Sequence, residues 1–329
     1  MRPARRLKTT MRWALLAALA LVAACKSKPE RTMLEVVPLP KLPRELAERE
    51  STKLVRATNR NIIQWHDLKY GQGATSAAVA MHHTIRTAVD ENFDTFVDVA
   101  RNGELLQLRS MAVKAIGFTS EHRRRAREFL KEELDNESWT IVANAALGLG
   151  ILRSKKTDEE DLGALISLLE SKHAPVRANS ADALSSLFTI KPTPVPLTPQ
   201  YQTALDRLSI LAEERGEIRV RRASVKALIG MHTPAAFMAF ASGLDDPDFE
   251  VRIGCITGMR LLLDPRALDP LVTHLDDVDS KQEATHVTEA LIKIAMVQNF
   301  SSDARELEAL GTSYRKWRDF IRSKRMELG

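Results

Sequence analysis

The sequence predicts an all-α fold, an α-solenoid of stacked antiparallel helical hairpins. Three observations carry this. Past residue 45 helix-forming residues dominate, and no alternating apolar–polar run marks a strand. A nine-residue pattern returns along the chain: LRSMAVKAI from Leu108, IVANAALGL from Ile141, VRANSADAL from Val176, VRRASVKAL from Val220, VRIGCITGM from Val251 and EATHVTEAL from Glu283. The starts lie 33, 35, 44, 31 and 32 residues apart, room for two short helices and their turns. Such a unit cannot bury its apolar flank alone and must stack on its neighbours.

The elements follow in chain order. Residues 1–24 read as an export signal. Arg2, Arg5, Arg6, Lys8 and Arg12 precede an uncharged run from Trp13 to Ala24, WALLAALALVAA. Those twelve residues rise only about 18 Å as a helix, short of the ~30 Å hydrocarbon core, which argues against a membrane-spanning anchor. Val22, Ala23, Ala24 and Cys25 resemble a bacterial lipobox, and the resemblance implies that Cys25 becomes the acylated N-terminus. Two or three acyl chains, each worth about 0.8 kcal/mol per buried methylene, would hold the protein on a bilayer. No other covalent group or cofactor is expected. Lys26 is not an inner-membrane retention residue, so the expected location is the periplasmic side of the outer membrane. Residues 25–44 contain Pro29, Pro38, Pro40 and Pro43 and are expected to form an extended tether.

Removal of the signal also changes the charge. The chain carries 48 Lys and Arg against 43 Asp and Glu. Five of those cations fall in the first twelve residues, and without them the charges balance. A neutral mature chain excludes nucleic acid as the expected partner.

The solenoid is expected over residues 45–313. In each copy, small or apolar residues recur three and four positions apart, as Val176, Ser180, Ala183, Leu184 and Leu187 do, forming one buried stripe. Ala112, Ser180, Ser224 and Cys255 occupy one step and permit close helix approach. A second amphipathic segment precedes each copy: Phe129–Leu134, Leu162–Leu169, Tyr201–Leu211, Ala235–Phe240 and Ala267–Leu275. Turns such as His173-Ala174-Pro175 and Asp246-Pro247-Asp248 separate them. The long interval contains residues 190–199, where Pro192, Pro194, Pro196 and Pro199 cannot all lie in helix interior. Residues 314–329 combine Tyr314, Trp317, Phe320 and Ile321 with six cations, and are expected to form a basic amphipathic helix capping the open end.

A turn, then Val-Arg, then an Ala-rich helix ending in Ala-Leu resembles HEAT repeats, most closely at Val176, Val220 and Val251. The likeness covers about residues 75–297; at Thr140–Val142 and Glu283–Ala284 the Val-Arg step is missing. Tetratricopeptide repeats need regularly placed tyrosines, and only Tyr70, Tyr201 and Tyr314 are present. The resemblance implies that Arg109, Arg177, Arg221 and Arg252 are structural, pairing with turn acids or carbonyls between repeats. It also implies a concave wall of second helices, on which Lys114, Asp182, Lys226, Thr257 and Glu289 occupy one register position. Their mixed signs suit a protein or peptide partner better than a polyanion.

Catalytic constellations are missing from the sequence. None of the eight histidines is followed by Glu, which excludes HExxH and the His-Glu pairs of HEAT-like metal hydroxylases. His82 and His83 diverge by about 100° on a helix and share no metal unaided. Gly71–Ser76 lacks the Lys-Ser/Thr end of a phosphate loop, and Asp245–Glu250 lacks the glycine and distal Glu of a calcium loop. Cys255 has no activating neighbour and reads as packing. The expected function is therefore non-catalytic: a membrane-anchored scaffold for a protein partner, with no metal. The alternative is an accessory enzyme or lyase with its site in the concave groove, since HEAT-like lyases exist.

Overall fold

The computed structural model describes residues 45, 49–70, 75–152, 159–190 and 193–328. One compact unit spans Glu48–Gly329. The signal, Cys25 and the tether lie outside the described residues, as do Gly71–Ala74 of the glycine-containing turn.

Helix is the only regular structure among the described residues. The chain opens with α1 (Glu50–Tyr70) and α2 (Thr75–Glu91), an antiparallel pair. Six hairpins follow. They pair α3 (Phe93–Asn102) with α4 (Leu106–Ile116), α5 (Arg123–Glu132) with α6 (Trp139–Leu152), and α7 (Glu159–Leu168) with α8 (Ala174–Ile190). The next three pair α9 (Pro199–Ala212) with α10 (Ile218–Met231), α11 (Phe237–Ser242) with α12 (Phe249–Leu262), and α13 (Leu268–Asp277) with α14 (Lys281–Val297). A short α15 (Ala304–Glu308) and the terminal α16 (Tyr314–Leu328) complete the chain.

The second helices form one continuous row, α4 to α6 to α8 to α10 to α12 to α14, and α1 packs on α4 at its start. This is the α-solenoid. Its inner helices are buried more widely than a single stripe. In α6, Ile141, Val142, Ala143, Ala145, Ala146, Gly148, Leu149, Gly150 and Leu152 are all buried. The reason is geometric: α6 touches α4, α8 and its own partner α5, so three of its sides face protein. Outer helices keep one apolar face, as α5 does with Ala126, Phe129 and Leu130.

Backbone proximity explains the small residues. A Cβ on Gly117 would lie 2.5 Å from the Gly148 carbonyl oxygen, and one on Gly150 would lie 2.6 Å from the Ala183 Cα. Glycine is what lets α4, α6 and α8 come this close. Ser180 serves the other direction: its hydroxyl donates to the Leu165 carbonyl at 2.5 Å, tying α8 to α7. Cys255 is wholly buried against Gly243.

Boundaries follow local chemistry. In the proline-containing insertion, α8 runs through Ile190 and Pro199 opens α9, so non-helical chain is confined to the residues between them; Thr198 N-caps α9 by accepting from the Tyr201 N–H. Asp248 caps α12 by accepting from the Val251 N–H at 3.1 Å, with aspartate placed where the helix dipole favours it. At the far end α16 lies against α13. Trp317 is fully buried there, and its indole N–H donates to the Gly311 carbonyl at 2.9 Å. Ile321 is buried beside it, and Arg325 pairs with Asp269 through both carboxylate oxygens.

Candidate interaction face

The repeat arginines stand at the start of the second helices, and their side chains run along the stack. Arg252 Nε and Nη2 donate to the two Glu283 carboxylate oxygens at 2.7 and 2.8 Å, while Nη1 reaches the Asp246 carbonyl at 2.8 Å. Arg221 repeats the motif one hairpin earlier, on the Asp246 carboxylate at 2.7 and 3.1 Å and the Glu214 carbonyl at 3.1 Å. Arg177 does so again, on the Glu214 carboxylate and the Ser171 carbonyl. Each acid thus receives one arginine on its side chain, and Glu214 and Asp246 offer the next arginine a carbonyl. His274 closes the chain on Glu283 at 2.9 Å. The Arg221–Asp246 pair is nearly dry, with side chains 6% and 8% exposed. Arg109 differs, since among the described residues its side chain makes one hydrogen bond, Nε to the Ala100 carbonyl at 3.0 Å.

Burial alone would raise the carboxyl of Glu283, but the Arg252 and His274 hydrogen bonds hold it below the usual range. Asp248 is held low against burial by Arg222, which grips both its oxygens at 2.7 and 2.6 Å. These arginines are joints between repeats.

The sequence did not reveal a second hydrogen-bonded line on the row of second helices. Asn144 Nδ2 donates to Ser110 Oγ at 2.5 Å, Asn179 Nδ2 donates to the Ala143 carbonyl at 2.6 Å, and Arg219 donates to Asn179 Oδ1. Polar residues at the sixth position of α6 and of α8, 35 residues apart, are the signal that could have found it. Lys114 sits one turn beyond Ser110. Burial, and then the Arg219 guanidinium, push its ammonium down to about 8.

The five register-equivalent residues lie on this row and are not all free. Asp182 accepts from Lys226 at 2.8 Å across α8 and α10, and Glu289 accepts from Arg260 at 3.1 Å across α12 and α14. Thr257 is half-buried on α12. His82 packs on Trp65 and Phe118, whereas His83 lies 3.5 Å from Thr87. Among the described residues no group of three His, Cys, Asp or Glu is placed to hold a metal, and no helix is long and apolar enough to cross a membrane. Burial pushes the Cys255 thiol up to about 12, which leaves it inert. A cleft of about 490 Å³ separates α13 from α16, lined by Asp269, Val272, Tyr314, Ile321, Arg322 and Met326.

Stacked hairpins with a continuous inner row and an arginine joint at successive repeats define an α-solenoid repeat protein. The family model for HEAT repeats matches residues 93–187 and 205–292, more than half of the chain. The protein belongs to the HEAT-repeat family. Solved structures similar to it include a designed armadillo repeat protein (16% identity, 59% of this chain and 97% of that one, TM-score 0.46). The YibA protein of Escherichia coli is also similar (14%, 84% and 97%, TM-score 0.48). So is the complex of CpcE and CpcF of phycocyanin lyase from Nostoc sp. PCC7120 (18%, 65% and 91%, TM-score 0.41). No curated protein matches.

Proposed function

We propose that the protein is a non-catalytic scaffold, held on the periplasmic face of the outer membrane by acyl chains on Cys25, that binds a polypeptide along the concave row of second helices. The observation that carries this is the row itself. Six helices in register present one long face whose charges alternate in sign, and many of those charges are internally paired. Such a surface suits a chain of mixed composition and gives no uniform field for a nucleic acid. The lipobox and the proline-containing segment 25–44 supply the anchor and the reach.

Photocrosslinking amino acids placed at Thr257 and Glu289 in native cells test the reading. The expected result is a discrete protein adduct from both positions and none from exposed Arg124 on α5. Adducts independent of position, or none, would overturn it. Cys25→Ser is expected to release the protein from the membrane fraction, and density-gradient separation of the two membranes tests the location.

A further inference from the structure

We propose that the cleft between α13 and α16 takes the headgroup of an anionic phospholipid, so that the capped end of the stack meets the bilayer. This rests on the membrane anchor proposed above and adds a second contact to it.

Charge is segregated along the chain. Residues 314–328 carry six cations and two acids, whereas residues 25–313 carry four more acids than cations. Once the signal is removed, the positive excess is confined to α16. Both acids of that helix are taken: Asp319 pairs with Arg318 and Glu327 with Lys324, each at 2.9 Å. Arg325 is paired with Asp269 of α13 at 3.0 Å. Arg322 is exposed and makes no ion pair or hydrogen bond with a described residue.

The packing decides how such a helix can meet lipid. Trp317 and Ile321 are buried on α13, so α16 has no free apolar face to insert as an interfacial helix does. It offers instead the cleft along its cationic side. Val272 and Ile321 give that cleft an apolar floor, beside the Tyr314 ring over which Arg318 Cζ sits at 5.4 Å. Arg318, Arg322 and Arg325 line it along successive turns of α16, and Met326 lines it while 72% exposed. Asp269 is the one carboxylate of the lining, and it is already held by Arg325.

An apolar floor beside unbalanced arginines calls for a ligand with both characters. A phosphodiester would accept from the free guanidinium fork of Arg322, and the glyceryl and first acyl carbons would cover Met326. A bare phosphate leaves the apolar surface wet, and an uncharged chain leaves Arg322 without a counter-charge. Each cation near an anionic bilayer raises binding only about fivefold. The cleft therefore orients the anchored protein and does not replace the anchor.

The test uses the full chain reconstituted in nanodiscs, with ¹³C-methyl methionine reporting by NMR. Met326→Leu assigns the Met326 signal, and exposed Met238 on α11 is the control. The discs are phosphatidylcholine alone, or the same with about one-third phosphatidylglycerol. Met326 is expected to move only in the phosphatidylglycerol discs, while Met238 stays put. Arg322→Gln is expected to reduce the shifted population about fivefold, and Arg322→Lys to restore it. Inorganic phosphate and an end-capped Glu–Ala hexapeptide are added separately to the phosphatidylcholine discs. Movement of Met326 there would assign the cleft to a free anion or an acidic polypeptide and overturn the proposal. Equal movement in both discs, no movement, or indifference to Arg322→Gln would overturn it too. A chain retained by phosphatidylglycerol discs alone would sink the acyl anchor and leave the cleft standing. Retention by both discs with an unmoved Met326 would do the reverse.

Discussion

The two halves of the solenoid are stitched differently. From α8 to α14 the repeats are joined by alternating charges, Arg177, Glu214, Arg221, Asp246, Arg252 and Glu283 in one line. From α4 to α8 the inner row is joined by neutral side chains, Ser110, Asn144 and Asn179, and by backbones brought close at Gly117, Gly148 and Gly150, while ion pairs such as Arg127–Asp161 link the outer helices. One family of hairpins thus solves the same problem twice. Where the inner helices are glycine-rich, contact of backbones makes the joint. Further along, a long guanidinium reaches from one repeat to the next and satisfies its donors at both ends.

The sharpest way to break the contrast is Arg221→Met. It strands the Asp246 carboxylate in a nearly dry site, at an expected cost of about 3–5 kcal/mol. Because repeat arrays unfold locally, hydrogen exchange should show the loss concentrated in α9–α12. Gly150→Val attacks the other half by driving a side chain into the Ala183 backbone. Overpacking of about 1–3 kcal/mol is expected, with exchange rising in α6 and α8.

Acid should loosen the charged line without mutation. Glu283 and Asp248 are held below their ordinary values when folded, so their stabilisation is complete above the unfolded values, about 4–4.5. It is lost as pH falls through the folded ones. Below pH 4 the α12–α14 segment should gain exchange first, and Glu283→Gln should flatten that dependence.

On the alkaline side stability also rises with pH, because there the charged form of a buried lysine costs stability. Lys114 is depressed from 10.5 to about 8, so the unfolded chain binds the extra proton between those values. Wild-type stability should rise from pH 8 to 10, by roughly 1 kcal/mol once solvent screening is allowed for, and Lys114→Met should abolish the rise. The smallest effect is expected at Arg109, which has no partner acid among the described residues. Arg109→Met should cost about 0.5–1.5 kcal/mol in denaturant unfolding, the worth of one hydrogen bond and far less than Arg221→Met.

Much of the architecture was legible because helical hairpins are local objects. Val176, Ser180, Ala183 and Leu187 announce their face by spacing within one helix, whereas the start of α9 at Pro199, capped by Thr198, falls inside the segment assigned to the insertion. The wide burial of α6 was not legible, since a stripe reports one contact surface and that helix has three. Nor were the acids that receive the arginines. They lie 37, 25 and 31 residues downstream, at no constant offset, because the intervening turns differ in length.

By itself the sequence determined that the chain is a row of helix pairs, and where each pair begins, because periodicity and capping act over a single turn. The likeness to a lipobox at Cys25 is likewise written in consecutive residues. Only the tertiary structure decided which charges are paired. Arg221 and Asp246 are 25 residues apart and belong to different repeats. Their meeting depends on how one hairpin seats on the next, which no single segment encodes.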